Sequence, residues 1–158
     1  MLQLNLIRHA KTEPQSKSGR DFDRELLPKG QQQSALLAAF LNESSANLGD
    51  VICSTAVRTT QTSRILFPKR TQGIVFLKAL YLAEAEQIKQ LIASQTTSTL
   101  TIIGHNEGLS DLASLLSGEQ IHLQTAGFIQ LQFELENWNQ LIQGTGIITA
   151  RFRPEVAV

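Results

Sequence analysis

The stretch VICSTAVRTTQTSRIL, residues 51–66, decides the fold class of this chain. Its first three residues, 51–53, are all apolar, which is typical of a strand covered on both faces. A hydroxyl side chain follows, and Ser54 or Thr55 offers an N-cap for a helix predicted over Val57–Leu66, which a nearby proline ends. A buried strand that leads directly into a helix indicates an α/β protein.

The same alternation of apolar strand and helix continues along the rest of the sequence. Residues 10–27 are polar and are predicted to form a loop, whereas the last two strands alternate in polarity and predict an antiparallel pair with Trp138 in the connection. The predicted strands cover 3–7, 51–53, 74–77, 100–103, 128–133 and 147–152, and the other predicted helices cover 28–41, 84–92 and 109–116. This order predicts a three-layer sandwich, with helices on both faces of a mostly parallel central sheet.

Length and charge exclude several classes of protein. The chain has 158 residues with 14 basic and 14 acidic side chains, which suits a single domain over 1–158 and argues against nucleic-acid or anionic-membrane partners. The longest apolar run, 35–41, is far shorter than the ~18 residues of a membrane span, and no signal peptide is apparent at the N-terminus. One cysteine, Cys53, excludes an internal disulfide and favours a cytoplasmic location.

Residues that can perform chemistry follow three of the predicted strands, at the edge where open α/β sheets bind ligands. Arg8 and His9 end the first strand; a neutral histidine can act as nucleophile near pH 7, and an adjacent arginine can hold an oxyanion. Arg58 lies in a first helical turn, where a cation is unfavourable by roughly 0.3–1 kcal/mol unless an anion is bound. His105 follows Gly104 before a helix start that favours anions. Each segment alone also fits a structural role.

Together these segments resemble the histidine phosphatase superfamily, and more closely its short phosphohistidine phosphatase, SixA-like branch. The resemblance covers nearly the whole chain. The matching residues are Leu6–Lys11, Asp23–Leu26 with Gly30, Ser54–Thr62, Leu80 with Tyr81, Gly104–Ser110, Trp138 and Pro154. It implies a phosphoglycerate mutase-like fold and a two-step phosphoryl transfer that needs no metal and no cofactor.

In this resemblance His9 is the nucleophile that forms a phosphohistidine enzyme, which water then hydrolyses. Arg8, Arg58 and His105 surround the phosphate, and His105 acts as a protonated electrostatic clamp. Arg24, from the loop after the first strand, is expected to bind the phosphate as well. The three histidines of the chain form no metal-ligand pattern, so no metal is expected.

Glu84 is the candidate general acid, because many members of the superfamily place a carboxylate near the start of a later helix. The branch often has an acid directly after the tyrosine, where this chain has Leu82. Glu84 therefore fits equally a glutamate that stabilises a helix N-terminus. A phosphohistidine substrate has a leaving imidazole that departs without a strong acid.

Other functions fit the sequence less well. Cys53 precedes Arg58 by one residue too few for the class of phosphatase with a cysteine nucleophile, so a buried strand cysteine is expected. No nucleotide-binding Gly-Lys-Ser/Thr motif is present. The short chain favours a phosphorylated protein, such as a phosphohistidine domain, as its partner. A phosphatase of small phosphomonoesters and a catalytically silent phosphate-binding module are the alternatives.

Overall fold

The structure is a computed structural model that describes residues 1–70 and 73–156. The described strands are β1 (Leu2–Arg8), β2 (Asp50–Ser54), β3 (Ile74–Leu77), β4 (Thr99–Gly104), β5 (Phe128–Phe133) and β6 (Ile147–Phe152). The described helices are α1 (Pro28–Glu43), α2 (Val57–Leu66), α3 (Ala85–Ala93) and α4 (Gly108–Ser117). Within these ranges, no helix combines the length and apolar character needed to cross a bilayer.

The described strands form one mixed sheet in the order β3-β2-β4-β1-β5-β6. β3, β2, β4 and β1 are parallel to one another, whereas β5 pairs antiparallel with β1 and β6 pairs antiparallel with β5. The predicted mostly parallel sheet and the final antiparallel pair are thus confirmed. Because parallel strands point the same way, the chain leaves β1, β2 and β4 at one common edge.

Each face of the sheet is covered by a different pair of helices, as the sequence predicted. Leu4 and Leu6 of β1 and Ile102 of β4 belong to the apolar cluster that α3 and α4 complete. Ile7 and Ile103 face the opposite way, into the cluster shared with α1 and α2. Successive strand residues point to opposite faces, so consecutive apolar residues are what a strand covered on both sides requires.

The predicted elements match the observed ones to within two residues, and the predicted α2, β3, β5 and β6 have the observed bounds. The predicted N-cap of α2 is wrong, because Ala56 occupies that position and the hydroxyl of Ser54 is hydrogen-bonded to His105. The predicted loop 10–27 contains a short 3-10 helix at Asp21–Asp23. Asp21 of this short helix lines the candidate site.

Candidate functional site

A cavity of about 630 Å³ lies at the edge where the chain leaves β1, β2 and β4. Asp21 is the one carboxylate among the described residues that line it. Four cationic side chains and two histidines also line it: Arg8, Lys11, Arg24, Arg58, His9 and His105. Since the whole chain is electrically neutral, this excess of cations is local and favours an anionic ligand.

His9 follows the last residue of β1 and is 6% exposed. Its Nδ1 lies 2.8 Å from the carbonyl oxygen of Ala10, which can only accept, so the proton of the neutral ring is on Nδ1. The lone pair is then on Nε2, where it accepts from Nε of Arg58 at 3.3 Å. Burial lowers the pKa of His9 to about 3, and nearby arginines add to this effect. His9 is therefore neutral near pH 7, with a nucleophilic nitrogen in the cavity.

Arg58 lies in the first turn of α2 and is 2% exposed, so its charge requires partners. Besides the contact with His9, its Nη1 donates to the backbone oxygen of Asp21 at 2.8 Å. Its Nη2 pairs with the Asp21 carboxylate at 3.0 Å. The short 3-10 helix of the loop after β1 thereby holds the guanidinium beside the nucleophile.

Asp21 was not identified from the sequence, although it connects the most groups at this site. Its carboxylate also pairs with Nε of Arg24 at 3.1 Å and accepts from the hydroxyl of Tyr81 at 2.5 Å. Burial alone would raise the pKa of Asp21, but the hydrogen bonds from Tyr81 and Arg58 lower it overall. Asp21 is therefore ionised. Nothing in the sequence separates it from neighbouring Asp23, which instead pairs with an exposed arginine.

His105 follows the last residue of β4 and is 2% exposed. Its Nε2 is hydrogen-bonded to the hydroxyl of Ser54 at 2.8 Å, and its buried Nδ1 has no partner among the described residues. Burial, followed by the charges of His9 and Arg58, lowers the pKa of His105 to about 3. In the free protein His105 is therefore neutral, and the protonated clamp expected beside a bound dianion stays a prediction. Only the charge of a bound phosphate would favour the protonated ring.

Arg8 and Arg24 complete the cationic lining. Nη1 of Arg8 donates to the backbone oxygen of Leu123 at 3.1 Å, while its buried Nε has no partner in the described part of the chain. Asn106 donates to the same oxygen at 2.9 Å, which ties the segment after β4 to this arginine. Arg24 is a quarter exposed and reaches the cavity from the loop after β1, as expected.

Glu84 is not brought to this cavity. It is the N-cap of α3 and forms a capping box with Gln87, which is the structural role that the sequence also allowed. A separate cavity of about 400 Å³ contains it, together with Glu86, Glu107 and Asp111. Leu82, which stands where the SixA-like branch often has an acid, does line the cavity that contains His9. The geometry therefore gives Glu84 no contact with a leaving group.

Gly108 allows two segments of backbone to approach closely. A Cβ there would lie 2.0 Å from the backbone oxygen of Ala83, so any side chain would push α4 away from the segment before α3. Gly104 does not have this role, since its Cβ would meet only the side chain of Leu109 at 3.6 Å.

Cys53 and metal ligands are not part of this site. Cys53 is fully buried in β2, as expected, and burial raises the pKa of its thiol to about 12. A thiolate nucleophile is therefore not formed there near pH 7. Among residues 1–70 and 73–156, no group of three His, Cys, Asp or Glu side chains could hold a metal ion.

Solved structures share this fold over almost the whole chain. A protein from Agrobacterium tumefaciens described as a putative phosphohistidine phosphatase SixA is 24% identical, with a TM-score of 0.82, and the match covers 97% of this chain and 99% of that one. The protein histidine phosphatase SixA complexed with tungstate is 17% identical, with the same TM-score and 97% of each chain covered.

Two comparisons concern the sequence itself. An uncharacterized chloroplastic protein of Arabidopsis thaliana is 28% identical, in a match that covers 91% of this chain and 72% of that protein. The family model described as the histidine phosphatase superfamily (branch 1) matches residues 4–86, which include Arg8, His9, Arg24 and Arg58. On this match, the chain belongs to the histidine phosphatase superfamily.

Proposed function

We propose that this protein is a metal-independent phosphatase that works through a phosphohistidine intermediate on His9. Its substrate is phosphohistidine, or another phosphorylated side chain, of a protein. The observation that supports this most directly is the neutral ring of His9, whose Nε2 lies beside Arg58 in a cavity lined by further arginines. A nucleophile next to cations that hold the phosphoryl oxygens is the arrangement that phosphoryl transfer requires.

In the first step, Nε2 of His9 attacks phosphorus and forms a P–N bond. The bond from phosphorus to the leaving nitrogen or oxygen breaks, and the leaving group takes up one proton from solvent. The ring keeps its Nδ1 proton on the oxygen of Ala10, so the intermediate is a phosphorylated imidazolium. Arg8, Arg24 and Arg58 neutralise the charge on the phosphoryl oxygens.

In the second step, water attacks phosphorus and the P–N bond breaks. The hydroxyl of the water stays on the orthophosphate, its proton returns to solvent, and His9 becomes neutral again. The low pKa of His9 makes its neutral ring a good leaving group in this step. His105, whose ring centroid lies 5.4 Å from that of His9 and which the dianion would favour in its protonated form, adds positive charge near the phosphate.

The lining of the cavity favours phosphohistidine over alkyl phosphates. Its one carboxylate among the described lining residues, Asp21, is ionised and cannot donate a proton. An alkyl alcohol is a poor leaving group without an acid, whereas an imidazole protonated by solvent leaves as a neutral molecule. A site whose described lining offers no carboxylic acid as proton donor therefore suits a phosphorylated nitrogen.

The deciding experiment compares turnover of a histidine-phosphorylated protein with turnover of aryl and alkyl phosphates. We expect the highest kcat/KM for phosphohistidine, and acid-labile label on His9 after rapid quenching with a ³²P-labelled substrate. Higher kcat/KM for small phosphomonoesters would favour the small-molecule alternative. Phosphate binding without any turnover would favour the silent module, and label on Cys53 would contradict the mechanism.

A further inference from the structure

Two further cavities share lining residues with the cavity of about 630 Å³ that contains His9, which we call the phosphate cavity, and their charges are opposite. One, of about 510 Å³, shares Lys11 and Thr125 with it. The other, of about 400 Å³, shares Leu82 with it. Whatever carries the phosphate into the central cavity must therefore lie across one or both of these neighbours.

The cavity next to Lys11 is cationic. Lys11, Lys29 and Arg153 line it and are all exposed; we call these three residues the basic rim. Glu155 is the one carboxylate of its described lining, and it lies 3.4 Å from Arg153. Lys29 also stands in the first turn of α1, where the helix dipole adds to the positive potential.

A buried side chain fixes the position of this rim relative to the nucleophile. Gln33 of α1 is 6% exposed; its Oε1 accepts from the backbone N–H of Lys11 at 2.9 Å, and its Nε2 donates to Thr125 at 3.0 Å. Lys11 and Thr125 are the two residues that both cavities share. Since Lys11 is two residues from His9, the rim and the phosphate cavity form one continuous surface.

The cavity next to Leu82 is anionic. Its lining contains no lysine or arginine among the described residues, and it contains four carboxylates, which we call the acidic rim: Glu84, Glu86, Glu107 and Asp111. The chain as a whole carries no net charge, so this separation of charge across the site is a local feature. Like charges repel a wrong orientation as strongly as opposite charges attract the right one.

We propose that the two rims select phosphoproteins by the charges that flank the phosphorylated residue. Carboxylates of the partner protein bind Lys11, Lys29 and Arg153, while its cationic side chains face the acidic rim. This inference rests on the proposed phosphatase function and names the chemistry of its substrate. The partner therefore binds in one orientation, set by charge, with its phosphoryl group on His9.

The test uses three phosphohistidine peptides of equal length. In two of them, acidic residues flank the phosphohistidine on one side and lysines on the other, in opposite order; the third has neutral flanks. At low ionic strength we expect one charged order to have about tenfold higher kcat/KM than the neutral peptide. The reversed order should be slower than neutral, and salt should reduce both differences. Equal kcat/KM for all three peptides would overturn the inference.

The double variant Lys29→Ala/Arg153→Ala locates the effect. It should lower kcat/KM for the preferred peptide by about tenfold and leave turnover of a small aryl phosphate unchanged. The matched control is Arg64→Ala/Lys69→Ala, which removes two exposed cations outside these cavities. It should change neither kcat/KM for the preferred peptide nor turnover of the aryl phosphate. If the rim variant instead slows only an alkanediol bisphosphate, the rim binds small dianions and the inference is wrong.

Binding separates this inference from the proposed function. The same peptides, fluorescently labelled, are titrated with the His9→Ala variant, and anisotropy reports their affinity. In one outcome, the native protein turns over none of the peptides while the His9→Ala variant binds one charged order more tightly than the other. That result would contradict the phosphatase function alone. Turnover without any preference, in rate or in binding, would contradict the charge selection alone.

Discussion

His9 and His105 follow neighbouring parallel strands, and their ring centroids lie 5.4 Å apart. Both are buried, and burial lowers the pKa of each to about 3. Their hydrogen bonds differ, however. His9 donates its Nδ1 proton to a backbone oxygen and presents Nε2 to Arg58, whereas Nε2 of His105 is bonded to Ser54. Burial thus decides that both rings are neutral, and the hydrogen-bond partner decides which nitrogen can react.

Replacing each histidine by alanine should separate the two roles most strongly. His9→Ala should lower kcat by about 10⁴-fold or more, because the nucleophile is gone. His105→Ala should cost about 10²–10³-fold, the usual loss when one group that stabilises the transition state is removed. Steady-state kinetics measure both, with circular dichroism to verify the fold. Equal losses, or label still trapped in His9→Ala, would break the distinction.

The pH dependence of stability tests what the two histidines share. Their pKa values fall from about 6.5 in the unfolded chain to about 3 in the fold, so the unfolded chain binds more protons between these values. The free energy of unfolding should therefore fall as the pH falls below 6.5, by about 1–2 kcal/mol per histidine at pH 5. Urea unfolding at pH 7, 6 and 5 measures it.

Three glutamine variants complete that measurement. His9→Gln and His105→Gln should each flatten the fall in stability by a similar amount. His122→Gln is the matched control, since His122 is exposed, and should leave the fall unchanged. If only one of the two site variants flattened the fall in the free energy of unfolding, the two rings would not share the same protonation behaviour.

Asp21 is the one carboxylate of the described cavity lining, and its neutralisation should have a smaller effect. Its carboxylate lies at about 3 Å from Arg24 and Arg58, and its charge opposes the lowering of the His105 pKa. Asp21→Asn should strengthen competitive inhibition by orthophosphate about tenfold, because a negative charge leaves the cavity. Asp23→Asn, in the same 3-10 helix but outside the cavity lining, is the control. Weaker inhibition would mean that Asp21 supports phosphate binding by holding Arg58 more than its own negative charge opposes that binding.

Glu84→Gln should have the smallest effect. Glu84 caps α3 and lies outside the lining of the phosphate cavity, so kcat should change less than twofold for phosphohistidine and for aryl phosphates with poor leaving groups. Glu86→Gln, in the same acidic cavity, is the control. A selective loss with poor leaving groups would restore Glu84 as the general acid, and it would give the cavity a proton donor besides its two histidines.

The elements were predicted well because apolar periodicity is a local signal. Strands such as Ile74–Leu77 and Phe128–Phe133 were placed with their observed bounds. The N-cap of α2 was not, because a hydroxyl near a helix start can bond to the helix or to a distant side chain. In the fold, the hydroxyl of Ser54 is hydrogen-bonded to His105, 51 residues away.

The sequence by itself determined the alternation of strands and helices, and with it the edge at which Arg8, His9, Arg58 and His105 follow their strands. Residues directly after parallel strands must meet there, since the strands share one direction. Tertiary structure alone decided that Asp21 would hold Arg58, that Glu84 would be kept apart, and that both histidines would be neutral. The loop after β1 brings Asp21 to Arg58, the capping box of α3 holds Glu84, and burial in the fold keeps the histidines neutral; none of these contacts is encoded in local sequence patterns.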